Sequence, residues 1–169
     1  MSGEAQASPK ITLRPVVSED QEFLVAVYAS TRAEEMAMVP WTDEQRMQFI
    51  QSQFNAQQIY YAEKYPTANH DVILANDKPV GRLYVARLDQ EIRIVDITLI
   101  PTERNRGIGS YLIRQLLDEA QISTKRTRIY VEEFSRSLSL FKRLGFNTSE
   151  QQGFHLLLQW TPAATIDPH

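Results

Sequence analysis

The segment Leu99-Ile100-Pro101-Thr102-Glu103-Arg104-Asn105-Arg106-Gly107-Ile108-Gly109 constrains this chain most. Upstream, Ile92–Ile100 is apolar and β-branched, which predicts a strand. Downstream, Ile108, Tyr111, Leu112, Ile113, Leu116, Leu117 and Ala120 recur at helical spacing. A glycine-containing turn therefore joins a strand to the first turn of a helix. First-turn N–H groups have no partner within the helix, and the helix dipole is positive there. Gly107 and Gly109 lack a Cβ, so a ligand can approach those N–H groups. Arg104 and Arg106 add positive charge. Such a place suits a phosphate or pyrophosphate.

Two phosphate-binding patterns fail on single residues. A dinucleotide fingerprint needs a third glycine where Leu112 stands. A P-loop needs Lys then Ser or Thr after its last glycine, and Ser110-Tyr111 follow instead. What remains is Arg104-x-x-Gly107-x-Gly109, with Pro101 three residues ahead. This resembles motif A of the GNAT superfamily of N-acetyltransferases, which cradles the pyrophosphate of acetyl-CoA. Further on, Leu140-Phe141-x-x-x-Gly145-Phe146 resembles that family's motif B, L-Y-x-x-x-G-F. The two stand in the family's order, with a strand between their helices. The resemblance implies a GNAT-like α+β (mixed α/β) fold, its central, mostly antiparallel sheet flanked by helices on both faces.

Composition narrows the class. At 169 residues with 43% hydrophobic content, one compact domain is expected. We place it at 10–161, with flexible tails at 1–9 and 162–169. No apolar run is long enough for a membrane span, and the first nine residues lack the apolar stretch of a signal peptide. The chain has no cysteine, which excludes a disulfide, a thiolate metal site and a cysteine acyl-enzyme. His70, His155 and His169 form no ligand-spaced cluster, so no metal is expected. A net charge of −3 without a basic block argues against nucleic acid. The expectation is a soluble cytoplasmic protein, monomer or homodimer, with no membrane partner.

In chain order, Ile11–Arg14 reads as a strand ended by Pro15. Ser18 with Gln21, and Thr42 with Gln45, read as capping boxes opening two helices. The second has Met47, Ile50, Phe54 and Tyr61 on its face, with Pro66 just past its end. Between them, Met36–Trp41 reads as a loop packed on the core or as a flap over an acceptor pocket. Asp71–Ala75 is a strand, and a turn at Asn76–Pro79 leads to another at Val80–Leu88. Asp89-Gln90 makes a tight hairpin into Ile92–Ile100. The helix from Ile108 ends near Gln121. A strand at Thr127–Val131, a helix capped by Ser135, a left-handed Gly145 and two last strands, joined near Gln152-Gly153, follow.

The resemblance implies transfer of an acetyl group from acetyl-CoA, as cosubstrate, to a primary amine on a small molecule or a protein. It sets the cofactor on Leu99, Ile100, Arg104, Asn105, Arg106, Gly107, Ile108, Gly109 and Ser110, with Ser135 and Phe141 as further contacts. The backbone N–H of Leu99 is the matched donor to the carbonyl oxygen. Phe141 stands where the family often has a tyrosine acid, and phenylalanine has no proton to give. Asp96, inside the apolar Val95-Asp96-Ile97, must pair with a cation or act as the base. Glu132 is the second candidate base, Glu133 its neighbour. A two-residue turn puts Leu83 opposite Asp96, and so turns Arg82 to the other face. Trp41, Arg82 and Tyr84 are the acceptor-side candidates. The rival reading, motivated by Phe141, is a non-catalytic acyl-CoA-binding module.

Overall fold

The computed structural model describes residues 8–164. Expectations for residues 1–7 and 165–169 lie outside them. The expected mixed α+β architecture is present. One seven-stranded sheet runs in the order β1-β2-β3-β4-β5-β7-β6. Its strands are β1 (Ile11–Pro15), β2 (Asn69–Ala75), β3 (Lys78–Arg87), β4 (Glu91–Leu99), β5 (Arg126–Glu132), β6 (Asn147–Gln152) and β7 (His155–Trp160). All neighbours are antiparallel except β4 and β5. That pair is parallel because the helix between them carries the chain back to the same end of the sheet.

Helices α1 (Gln21–Thr31), α2 (Ala33–Met38) and α3 (Asp43–Lys64) precede β2. Helix α4 (Ile108–Ser123) links β4 to β5, and α5 (Leu138–Arg143) follows β5. Leu24, Val25 and Tyr28 of α1 pack with Ile50 and Phe54 of α3 over one face. On the other, Ile108, Leu112, Ile113 and Leu116 of α4 and Phe141 of α5 meet Leu83, Val85, Ile92, Ile94 and Ile129. The central strands therefore send alternate residues to two different faces of the sheet.

Local chemistry explains several differences from the sequence reading. The Thr42–Gln45 box forms in both directions, at 2.9 and 3.2 Å. The Ser18–Gln21 box does not. The Asp20 carboxylate instead accepts from the Val17 N–H and, two-pronged, from Arg14, each at 2.8 Å, and Ser18–Asp20 makes a 3-10 turn before α1. Met36–Trp41 is only partly the expected loop on the core: Met36 packs against the α1–α3 cluster. The first half of the segment belongs to α2, and Met38 is 86% exposed. Met47 faces solvent rather than the core. The β2–β3 turn is only Asn76-Asp77, both at positive φ, so Lys78 and Pro79 enter β3. Helix α5 starts at Leu138 after Ser137, not Ser135. The Ser135 hydroxyl accepts from the Ser137 N–H just ahead of it. Residues ahead of 165 are not a free tail: the Gln121 side chain clasps Ala163 with two hydrogen bonds.

Candidate active site

The β3–β4 hairpin begins as expected, with the Leu88 N–H on the Glu91 carbonyl across Asp89-Gln90. Arg87 opposes Ile92, and Val85 opposes Ile94. Then Tyr84 opposes Asp96, not Val95. Val95 is the extra residue of a β-bulge. Beyond it every residue of β4 faces the opposite way from the simple alternation. This corrects the sequence reading: Asp96 and Arg82 share the α3 face. The Arg82 Nε donates to Asp96 Oδ2 at 2.6 Å.

Arg82 is only 2% exposed. Its other nitrogens donate to the side-chain carbonyls of Gln57 and Gln58 on α3, and it lies over the Phe54 ring at 5.9 Å. Asp96 also accepts from the Thr98 hydroxyl at 3.0 Å. Tyr84 is buried between Tyr61, edge-on at 5.4 Å, and His70, stacked at 4.4 Å. Burial first, then the charge of Asp96, pushes Tyr61 upward, so its phenol keeps its proton. Arg82 and Tyr84, expected at the acceptor, are thus packed beneath α3. Gln57, Gln58 and Thr98 were missed. The signal was present: Ile50, Phe54, Gln57, Gln58 and Tyr61 follow one helical stripe, and amides on a buried stripe need a polar partner.

The bulge sits where β4 leaves β5. Their parallel ladder spans only Glu91–Ile94 against Arg126–Ile129, whereas β4 continues to Leu99 and β5 to Glu132. Ile92, Arg93 and Ile94 are buried, and every residue from Val95 to Ile100 is half-buried. A wedge-shaped opening results. The Ile100 N–H donates to the Val80 carbonyl, so by alternation the N–H groups of Ile97 and Leu99 point away from β3, toward this wedge.

At the end of β4 the chain makes a 3-10 turn, Pro101–Glu103, and reaches α4 through Gly107. Gly107 has φ +81°, a left-handed conformation that favours glycine. No side chain caps α4 and its first turn carries no acidic residue, so the first N–H groups, from Ile108, Gly109 and Ser110, are open to an anion. A Cβ at Gly109 would meet only Leu140 and Leu99 side-chain carbons, at 3.8 and 4.0 Å. Packing would therefore admit a larger residue there, and its absence leaves a cradle. The Arg104 Nε donates to the Leu99 carbonyl at 3.4 Å, Asn105 takes a left-handed φ, and Arg106 pairs with Glu103 at 2.8 Å.

The remaining residues are spread around the wedge. Ile129 and Val131 are in the α4-side core, which turns Glu132 to the α1 side at the end of β5. There Arg32, from the end of α1, lies 4.0 Å away. Ser135 shares a hydrogen bond with Ser137. Phe141 is 1% exposed and packs edge-on against Phe146 at 5.1 Å, as a core residue. Trp41 is 37% exposed and meets Phe49 edge-on at 5.2 Å. Among the described residues, no group of acidic and histidine side chains is placed to hold a metal, and no helix is long and apolar enough to cross a membrane.

No curated protein sequence matches the chain. Solved structures do resemble it. The PaiA N-acetyltransferase of Thermoplasma acidophilum, solved with coenzyme A, is 16% identical with a TM-score of 0.68, over 90% of this chain and 99% of that one. An acetyltransferase of Thermus thermophilus is 16% identical at 0.65, over 91% and 98%. A GNAT family acetyltransferase of Elizabethkingia anophelis, with acetyl-CoA bound, is 14% identical at 0.56, over 89% and 97%. At these identities the likeness is one of fold. The family model for acetyltransferases of the GNAT family matches residues 28–146, a span that takes in the bulge, the wedge and the open end of α4. The chain therefore belongs to the GNAT acetyltransferase family.

Proposed function

We propose that the chain transfers the acetyl group of acetyl-CoA to a primary amine by direct attack in a ternary complex. The observation that carries this reading is the wedge between β4 and β5 opening beside the uncapped N-terminus of α4. The N–H groups of Ile108, Gly109 and Ser110, with Arg104, Asn105 and Arg106 near them, take the pyrophosphate. The pantetheine arm lies along Leu99 and Ile100, at the edge of β4 that β5 leaves unpaired beyond Ile94. Ser135 lines the α5 side, and Phe141 backs it from the core.

The amine attacks the thioester carbonyl from the α1 side. Carbon–nitrogen bond formation moves charge to the carbonyl oxygen, and the Leu99 N–H donates to it. The nitrogen gives its surplus proton to solvent, and collapse breaks the carbon–sulfur bond to leave the amide and the thiolate. The thiol's ordinary pKa is about 8.5, so the thiolate departs without a dedicated acid and takes a proton from water. A lysine-type amine, near 10.4, must first lose a proton. Asp96 is engaged by Arg82 and Thr98, so Glu132, directly or through a water, is the base we favour. The acceptor is a small-molecule or protein amine entering past Trp41, and we assign the enzyme to the cytoplasm as a monomer or homodimer.

The test is release of free CoA thiol from acetyl-CoA against a panel of small amines and peptides with free amino groups. Turnover above solvent hydrolysis with at least one amine is expected. Tight CoA binding with no turnover on any amine would favour a non-catalytic acyl-CoA-binding module.

A further inference from the structure

The two-residue β3–β4 turn fixes a register that, continued without interruption, would put Asp96 and Thr98 on the α4 face among Leu83, Ile92 and Ile94. It would turn Ile97 and Leu99 to the α3 face. A carboxylate in that aliphatic layer has no partner and is costly. One extra residue at Val95 reverses all four. Asp96 then meets Arg82 at 2.6 Å, and Ile97 and Leu99 join the α4-side core. Arg82 is buried and anchored to α3 through Gln57 and Gln58, so the guanidinium is a fixed post rather than a mobile surface charge.

The bulge also reverses the backbone. In the uninterrupted register the N–H groups at 95, 97 and 99 would bond to β3. With the bulge, residues 96, 98 and 100 face β3, shown by the Ile100 N–H on Val80. Ile97 and Leu99 then face the wedge. We infer that the Arg82–Asp96 pair holds the bulge at Val95 and so keeps the Leu99 N–H turned into the cleft. Asp96 is a positioning residue for acetyl transfer, acting through β4, and not the base. This rests on the reading of the wedge as the acetyl-CoA site.

Three readouts test it on the full chain: amide exchange without ligand, CoA affinity by calorimetry, and the pH profile of kcat with the fastest amine of the panel. In Asp96→Asn the amides at 96, 98 and 100 should exchange at least about tenfold faster, because the buried guanidinium loses its counter-charge. CoA affinity should weaken and kcat should fall with the shape of its pH profile unchanged. Arg82→Met should do the same, and Arg82→Lys, which keeps the charge, should recover part of each effect. Should Asp96→Asn not fold, the two Arg82 variants carry the same comparison. Wild-type exchange and CoA affinity in Asp96→Asn, with loss of the acidic limb of the kcat profile, would make Asp96 the base and overturn the inference. If the wild type itself binds no CoA, the wedge reading fails. The exchange arm then decides on its own whether the pair holds the bulge.

Discussion

Phe141 stands in the motif where a tyrosine acid is common, and the structure gives the substitution a physical setting. The ring is 1% exposed and packs against Phe146. A hydroxyl added there needs a hydrogen-bond partner, and one buried without it costs about 1–3 kcal/mol. Phe141→Tyr should therefore lower the melting temperature and change kcat by far less than the about 10²-fold of a needed acid. Steady-state kinetics with thermal unfolding check this; a large rise in kcat would mean that the native chain lacks an acid it can use. Legibility at this scale was uneven. The glycine turn from β4 into α4 was readable because backbone conformation is a local property. The partner of Asp96 was not, because one extra residue at Val95 inverts the face of everything after it, and no local pattern marks that residue.

At the scale of elements, long periodic segments were legible and short or polar ones were not. Helix α4 announces itself through six buried residues at helical spacing. The Thr42–Gln45 box correctly opens α3. Helix α2 is six residues with none buried, so it has no apolar stripe to read. Strand β6, Asn-Thr-Ser-Glu-Gln-Gln, is exposed throughout and is held by its ladder with β7 rather than by burial. The corner from α2 to α3 is tied to α3 by Arg46, which donates to the Met36 and Val39 carbonyls at 2.9 and 3.0 Å, and to the loop after β5 by Arg136 and Glu34 at 2.6 Å. Trp41 is on this corner, and if it borders the acceptor entrance as proposed, Trp41→Ala should raise KM for the amine and leave CoA affinity nearly unchanged. A loss of stability with no kinetic effect would assign the ring to packing against Phe49 alone.

For the whole molecule, His70 and Asp20 are the described groups whose burial and pairing make stability fall toward acid. Burial first, and the positive charge of Arg82 second, push His70 down to about 4 from its ordinary 6.5. Arg14 first, then the Val17 N–H, hold Asp20 down at about 2 from 3.8. In both cases the folded value lies below the unfolded one, so the unfolded chain binds more protons as pH falls, and stability falls with it. The contribution of His70 is lost from about pH 6.5 down to about 4, and that of Asp20 from about 4 down to about 2. Thermal unfolding of His70→Phe should show a flatter dependence on pH in the first window. Asp20→Asn should be less stable than wild type at neutral pH, with the gap closing toward pH 2; unchanged slopes would contradict both assignments. The cleft beside α4 is tested most directly by calorimetric titration of CoA into the wild type and Gly109→Glu. The cradle admits the new Cβ, and a negative charge in the first turn of a helix favours the helix by about 0.3–1 kcal/mol. The same charge occupies the place assigned to the pyrophosphate. The account predicts an equal or higher melting temperature together with CoA affinity reduced by at least about tenfold. Wild-type affinity for CoA in this variant would contradict it.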